Sequence, residues 1–156
     1  MLTMSTTRHP GKAASLERWG ADIVVDSGRD DAVKAIRAAT GGEGVDAAVE
    51  YTGAGELMRL CIDALRLGGT FCPVGGELRE IPLRVVDMVS KELNVHGIRG
   101  ATRNDQRVVA ELLEKGRIRM PIHAVLPLAK AAEAHAMLEH SEDLVGRIGR
   151  HPGEEV

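Results

Sequence analysis

Short apolar runs alternate along this chain with longer stretches of helical spacing. Met1-Leu2-Thr3-Met4-Ser5-Thr6 reads as a short strand, and Pro10 suits the first turn of a helix. Good helix formers from Ala13 to Trp19 follow, stopped by Gly20. The β-branched run Ile23-Val24-Val25 predicts a buried strand. Val33, Ile36 and Arg37 recur at helical spacing between Asp30 and Ala39, and Thr40 to Gly44 forms a turn. A strand over Val45 to Tyr51 is broken by Thr52-Gly53-Ala54-Gly55. Leu57, Leu60, Cys61, Ala64 and Leu65 then line one helix face, which Gly68-Gly69 is expected to end. Thr70 to Val74 reads as a strand closed by Gly75-Gly76. Pro82 to Ser90 reads as a short helix, and Leu93 to Ile98 as a strand. Asn104 is placed to cap a helix reaching about Lys115. Val125 to His140 contains a last helix, and Leu144 to Gly149 a last strand.

This alternation predicts βαβ units, a mainly parallel sheet and a doubly wound α/β fold. Ligands on such sheets bind at the carboxyl ends of the strands. Here those ends are Thr6-Thr7-Arg8, Tyr51-Thr52-Gly53, Val74-Gly75-Gly76 and Ile98-Arg99-Gly100. The glycines at three of them suit close approach of backbone to a ligand, and suit an ordinary strand-to-helix turn equally well.

Composition narrows the classes. The chain has 156 residues, 44% of them apolar and 28% charged, which is enough apolar surface for a packed domain. The net charge of −3 and three rings, Trp19, Tyr51 and Phe71, argue against a nucleic-acid surface. No apolar run approaches the ~20 residues that cross a bilayer. The start, MLTMSTTRHPGK, lacks the pattern of a secretory leader, so the expected setting is the cytoplasm.

Metal and nucleophile chemistry find little footing. His135 and His140 are five apart and do not share a helix face, and there is no H-E-x-x-H. Cys61 and Cys72 read as small buried hydrophobes. No serine stands in a G-x-S-x-G setting. Asp46 and Glu50 are expected to flank or cap the sheet, and no general acid or base stands out.

Gly20-Ala21-Asp22, Thr40-Gly41-Gly42-Glu43-Gly44-Val45-Asp46, and Leu67-Gly68-Gly69 running to Pro73-Val74-Gly75-Gly76 form an ordered set. So do Pro127-Leu128, Ala131 to Ala136 and Val145-Gly146-Arg147. The set resembles the zinc-type, medium-chain alcohol dehydrogenase and quinone reductase superfamily, from Met1 to about Arg150. Members are NAD(P)-dependent oxidoreductases with a catalytic domain and a Rossmann domain. The resemblance covers the distal portion alone. It implies a partial dinucleotide-binding domain over residues 1–120 and a segment, 121–156, that returns towards the catalytic domain. The first strand with its G-x-G-x-x-G helix is expected to be missing, as is the domain that carries zinc ligands in zinc-dependent members. No zinc site is expected here.

The resemblance also implies site residues. Thr7 and Arg8, with Lys12 following, match the end of the strand that meets the adenosine ribose. NAD users resemble one another in an acidic residue there; a guanidinium suits a 2′-phosphate, so NADP is expected, with NAD the alternative. Thr52 and Gly53 match the loop on the adenine or ribose side, and Val74 and Gly75 the loop under the nicotinamide ribose. Gly100 and Ala101 match the segment at the carboxamide. Arg147 matches a basic residue that reaches the pyrophosphate; the alternative for it is a rim ion pair with Glu142 or Asp143.

The usual strand order, 3-2-1-4-5-6, puts the missing strand in the middle. Strands ~4.8 Å apart would leave a slot roughly 10 Å wide with two unpaired edges. Three outcomes are open: the chain's first strand slides across, the chain self-associates or pairs with a partner, or it is marginally folded. The last strand is another edge, and homodimerisation is expected. The leading expectation is the cofactor-domain part of an oxidoreductase that moves a hydride between nicotinamide and an alcohol, aldehyde or quinone-type carbonyl, inactive alone. One rival is a non-catalytic interaction module that pairs with a separate chain. The other is a nucleotide-handling transferase, because Leu65-Arg66-Leu67-Gly68-Gly69 is also similar to a turn of Rossmann-like methyltransferases, although the acidic residue these need is replaced by Thr6-Thr7-Arg8.

Overall fold

The computed structural model describes residues 1–29, 31–75, 83–140 and 144–153. Asp30, Gly76, Pro82, Glu142 and Asp143, to which the sequence reading gave helix ends, a turn and an ion pair, lie outside them. The fold is mixed α/β, and every strand pair described is parallel. Two compact units divide the chain: one holds 2–8 and 23–100, the other Met1, 9–22 and 101–153 of the described residues.

The first unit contains β1 (Met4–Thr7), β2 (Ile23–Asp26), α2 (Ala32–Ala39), β3 (Val45–Glu50), α3 (Gly55–Ala64), β4 (Leu65–Pro73), α4 (Val85–Lys91) and β5 (Asn94–Val95). Helix α1 (Ala13–Arg18) belongs to the other unit. Strand β1 pairs with β2, while β3, β4 and β5 form a separate sheet in that order. This is the split that removing the central strand of a 3-2-1-4-5-6 sheet produces. Of the three expected outcomes, sliding is not the one observed, because β1 keeps to β2 and does not pair with β3.

Side chains join what hydrogen bonds do not. Val25 of β2, Ala32 and Ile36 of α2 and Ala64 of α3 form one buried cluster, with Met4, Ile23, Val45 and Leu60 packed on it. Residues of both sheets therefore share a core. A second cluster, Met58, Ile62, Leu65 and Phe71, packs with the three-stranded sheet and includes the most deeply buried large side chains among the described residues. Of the face expected on α3, Leu60, Cys61 and Ala64 join these clusters, Leu65 does so from β4, and Leu57 does not; the buried Met58 and Ile62 were not among the expected residues.

Gly68-Gly69 does not end α3. The helix stops at Ala64 and the chain runs straight into β4 from Leu65. Between the pairs Val45–Leu65 and Ala47–Thr70 the register shifts, and the glycines lie in that irregularity. Gly68 has a φ of +68°, the left-handed conformation that a bulge of this kind uses. Cations take the place of a glycine cap on α3. The Lys91 ammonium donates to the carbonyls of Ile62 and Asp63 at 2.7 and 2.9 Å. The Arg37 guanidinium donates to Asp63 and Leu65 at 3.0 and 3.3 Å. The orphan carbonyls of the last turn are thereby satisfied.

Two further expectations need correction. The strand expected over Leu93 to Ile98 has its ladder at Asn94–Val95, and the chain stays beside β4 beyond it: the His96 amide donates to the Phe71 carbonyl at 2.9 Å and the Ile98 amide to the Pro73 carbonyl at 3.1 Å. The helix near Asn104 is α5 (Arg103–Glu114), and its cap is Thr102, whose hydroxyl accepts from the Asp105 amide while the Asp105 carboxylate accepts from the Thr102 amide. In the same unit β6 (Ile122–Pro127), unforeseen in the sequence, pairs with β7 (Arg147–His151), and α6 (Ala131–His140) connects them.

Candidate cofactor site

Strands β3 and β4 lie side by side in parallel, so their carboxyl ends open at the same edge of the sheet. The sequence ends both with small residues, Thr52-Gly53-Ala54 and Val74-Gly75. The structure brings these two loops into contact. A Cβ built on Gly75 would stand 2.1 Å from the Gly53 nitrogen and 2.7 Å from the Thr52 carbonyl carbon. Backbone thus lies against backbone where a side chain cannot fit. The contact sets the two loops side by side at the carboxyl ends of the strands and explains the glycine at position 75.

Glu50, the last residue of β3, holds this pair of loops. It is 3% exposed. Its Oε1 accepts from the Thr52 amide at 2.7 Å and from the Thr52 hydroxyl at 2.5 Å. Its Oε2 accepts from the Gly53 amide at 2.8 Å. Its backbone carbonyl accepts from the amides of Val74 and Gly75 at 2.8 and 3.0 Å. The Thr52 hydroxyl in turn accepts from the Ala54 amide, which leads into α3. From sequence, Glu50 is expected to flank or cap the sheet. Its grip on two loops was not foreseen; the available signal was a carboxylate closing an apolar strand directly before Tyr-Thr-Gly.

The other expected residues sort by unit. Thr7 ends β1 and Arg8 follows it. The Arg8 guanidinium donates to the Glu56 carboxylate, in the first turn of α3, at 2.7 Å. Both partners are more than half exposed, so the pair is weak and a stronger anion can displace it. Gly100 closes this unit, with a φ of +60°. Lys12, Ala101 and Arg147 belong to the other unit. Lys12 sits in a 3₁₀ turn, Pro10–Lys12, and the Arg147 amide donates to the Pro121 carbonyl at 2.8 Å.

Cys61 is half-buried beside the site, and burial, then the charge of Glu50, pushes its thiol up to about 11. That makes it a poor nucleophile at neutral pH. Among the described residues no group of three His, Cys, Asp or Glu side chains gathers in a way that could hold a metal ion. No helix among the described residues is long and apolar enough to cross a membrane.

Comparisons with known proteins agree with this architecture. Residues 2–115 match the family model described as zinc-binding dehydrogenase. The chain is 26% identical over 157 aligned residues to D-arabitol-phosphate dehydrogenase of Enterococcus avium, covering 99% of this chain and 45% of that protein. It is 34% identical over 109 residues to an alcohol dehydrogenase of Rhizobium meliloti strain 1021, covering 70% of this chain and 32% of the relative. The crystal structure of an NAD-dependent alcohol dehydrogenase superposes with a TM-score of 0.87 at 27% identity, over 97% of this chain and 44% of that one. The chain thus spans less than half the length of these relatives. With its parallel strands, its paired glycine loops and a family match over most of its length, the chain belongs to the zinc-binding dehydrogenases and corresponds to the cofactor-domain, C-terminal part of their medium-chain members.

Proposed function

We propose that the chain contributes the nicotinamide-cofactor side of a hydride transfer between NADP(H) and an alcohol, aldehyde or quinone-type carbonyl. The observation that carries this reading is the loop pair at the carboxyl ends of β3 and β4, pressed together at Gly53 and Gly75 and held by Glu50. Thr52, Gly53, Val74 and Gly75 would hold the cofactor through backbone groups and the Thr52 hydroxyl. When bound, the nicotinamide supplies the hydride chemistry; these residues bind and orient it. Gly100, in the same unit, remains the proposed contact to the carboxamide. The names of the relatives favour an alcohol or polyol as the partner substrate.

Arg8 supports NADP over NAD. It stands beyond the last residue of β1, its partner Glu56 is exposed, and a phosphate dianion would outbid that carboxylate for the guanidinium. The test is a titration of NADPH and NADH, followed by nicotinamide fluorescence. Saturable NADPH binding, weakened about tenfold in Arg8→Ala with NADH unaffected, is the expected result. Absence of saturable binding at millimolar NADPH would end the reading for this chain alone.

A second reading has its own observation. The facing edges of β1 and β3 carry no strand partner among the described residues, and Ala47 and Val49 of β3 are exposed. Open edges of this kind pair with other strands. We propose on this ground that the chain self-associates, as a homodimer or larger species, through its sheet edges.

A further inference from the structure

We infer that Glu50 is a positioning residue that locks the loops 52–53 and 74–75 into one arrangement, and so sets the affinity of the site for the adenine-nicotinamide dinucleotide. The second half of this inference rests on the cofactor reading above; the first half does not. Glu50 is one of only two buried charged residues among those described, and the other, Asp87, is surrounded by arginines. Glu50 has no cation within ion-pair distance among the pairs described. Its charge is answered by the amides of Thr52 and Gly53 and by the Thr52 hydroxyl. A buried carboxylate accepting several backbone amides fixes their directions firmly, because each is a charge-assisted bond in a poorly solvated place.

The geometry makes the residue a junction. The carboxylate fixes the loop after β3, and the carbonyl of the same residue fixes the loop after β4. With Gly75 against Gly53, neither loop can shift without the other. The loop after β3 also continues directly into α3, whose first turn carries Glu56, the partner of Arg8. One carboxylate therefore governs both loops and adjoins the element that meets the expected 2′-phosphate residue.

The test uses Glu50→Gln in the full chain. The amide group of glutamine keeps one acceptor oxygen and presents an NH2 where the second oxygen was, so the Thr52 and Gly53 amides cannot both be satisfied. Amide hydrogen exchange without cofactor is expected to quicken about tenfold or more at Thr52, Gly53 and Gly75, while α2 and the strand interiors keep their protection. Unchanged exchange at those three amides overturns the inference, and so does a uniform rise across the unit, which is what a merely structural role gives. NADPH affinity is expected to fall about tenfold in the same variant. If the parent chain binds no NADPH, the cofactor reading fails, while the exchange result still decides whether Glu50 is the lock. Should Glu50→Gln not fold, Thr52→Val removes only the hydroxyl of the network. Faster exchange at Thr52 and Gly53 in that variant supports the inference, and unchanged exchange there overturns it.

Discussion

At Gly75 the constraint is purely steric and can be read atom by atom. The atoms a new Cβ would meet are the Gly53 nitrogen and α-carbon and the Thr52 carbonyl carbon, all backbone, so no flexible side chain can yield. Gly75→Ala is expected to cost about 1–3 kcal/mol of unfolding free energy in urea. Gly11→Ala, where a Cβ meets nothing within 4 Å, is the control and is expected to stay within about 0.5 kcal/mol. Equal costs at the two positions would refute the close-approach argument. At this scale the sequence is legible where a residue type alone states a backbone need. Gly53, Gly75 and Gly100 stand after apolar runs, and the first two meet. It is silent where a role depends on a distant partner. Nothing in the neighbourhood of Arg8 announces Glu56.

Among elements, α3 and α4 are tied by charge. The Asp87 carboxyl accepts from the Arg84 guanidinium at 2.7 Å and from Arg59 at 2.8 Å, and Arg59 also pairs with Asp63 one turn along α3. Hydrogen bonds from Arg84 and then Arg59 hold Asp87 well below the usual carboxylate range, and Arg59 lowers Asp63 likewise. A carboxyl depressed in the folded state adds stability that is present above its unfolded value, about 3.9, and that fades as pH falls through the lower folded value. Thermal melts between pH 5 and pH 2 should therefore show a steeper fall in Tm for the parent chain than for Asp87→Asn. Parallel slopes would remove this cluster from the account of acid stability.

Elements with a strong apolar signature, β2 and β3, fall where their residues predict, while α3 forms as expected but ends at Ala64. Strand β6 escaped because its outward positions, Ile122 and Val125 among them, are exposed and its run ends in proline, so neither alternation nor a buried run marks it. Gly68-Gly69 misled because a glycine pair signals a break without saying whether a helix ends or a strand bulges.

For the whole molecule, the strand order was legible through the resemblance, and the separation of two sheets follows from it. What the order could not give is how the chain answers its open edges. Besides those edges, α4 presents Val85, Val86 and Val89 to solvent. Light scattering is expected to report a mass above that of the 16.7 kDa monomer, with a melting midpoint that rises with protein concentration. A monomer with a sharp, concentration-independent melt would contradict the proposed self-association.

The seam between the two sheets has a mechanical side. Within each sheet, ladder hydrogen bonds resist sliding of one strand along the next. Between β1 and β3 no ladder bond is described; the apolar cluster of Met4, Val25, Ile36 and Val45 bridges the seam, helped by the Arg8–Glu56 pair and by the Arg37 bonds to the Asp63 and Leu65 carbonyls. Apolar contact is non-directional and sets no register. Pulled along the strands, this unit should yield first by shear at the seam, at low force, with each sheet still intact.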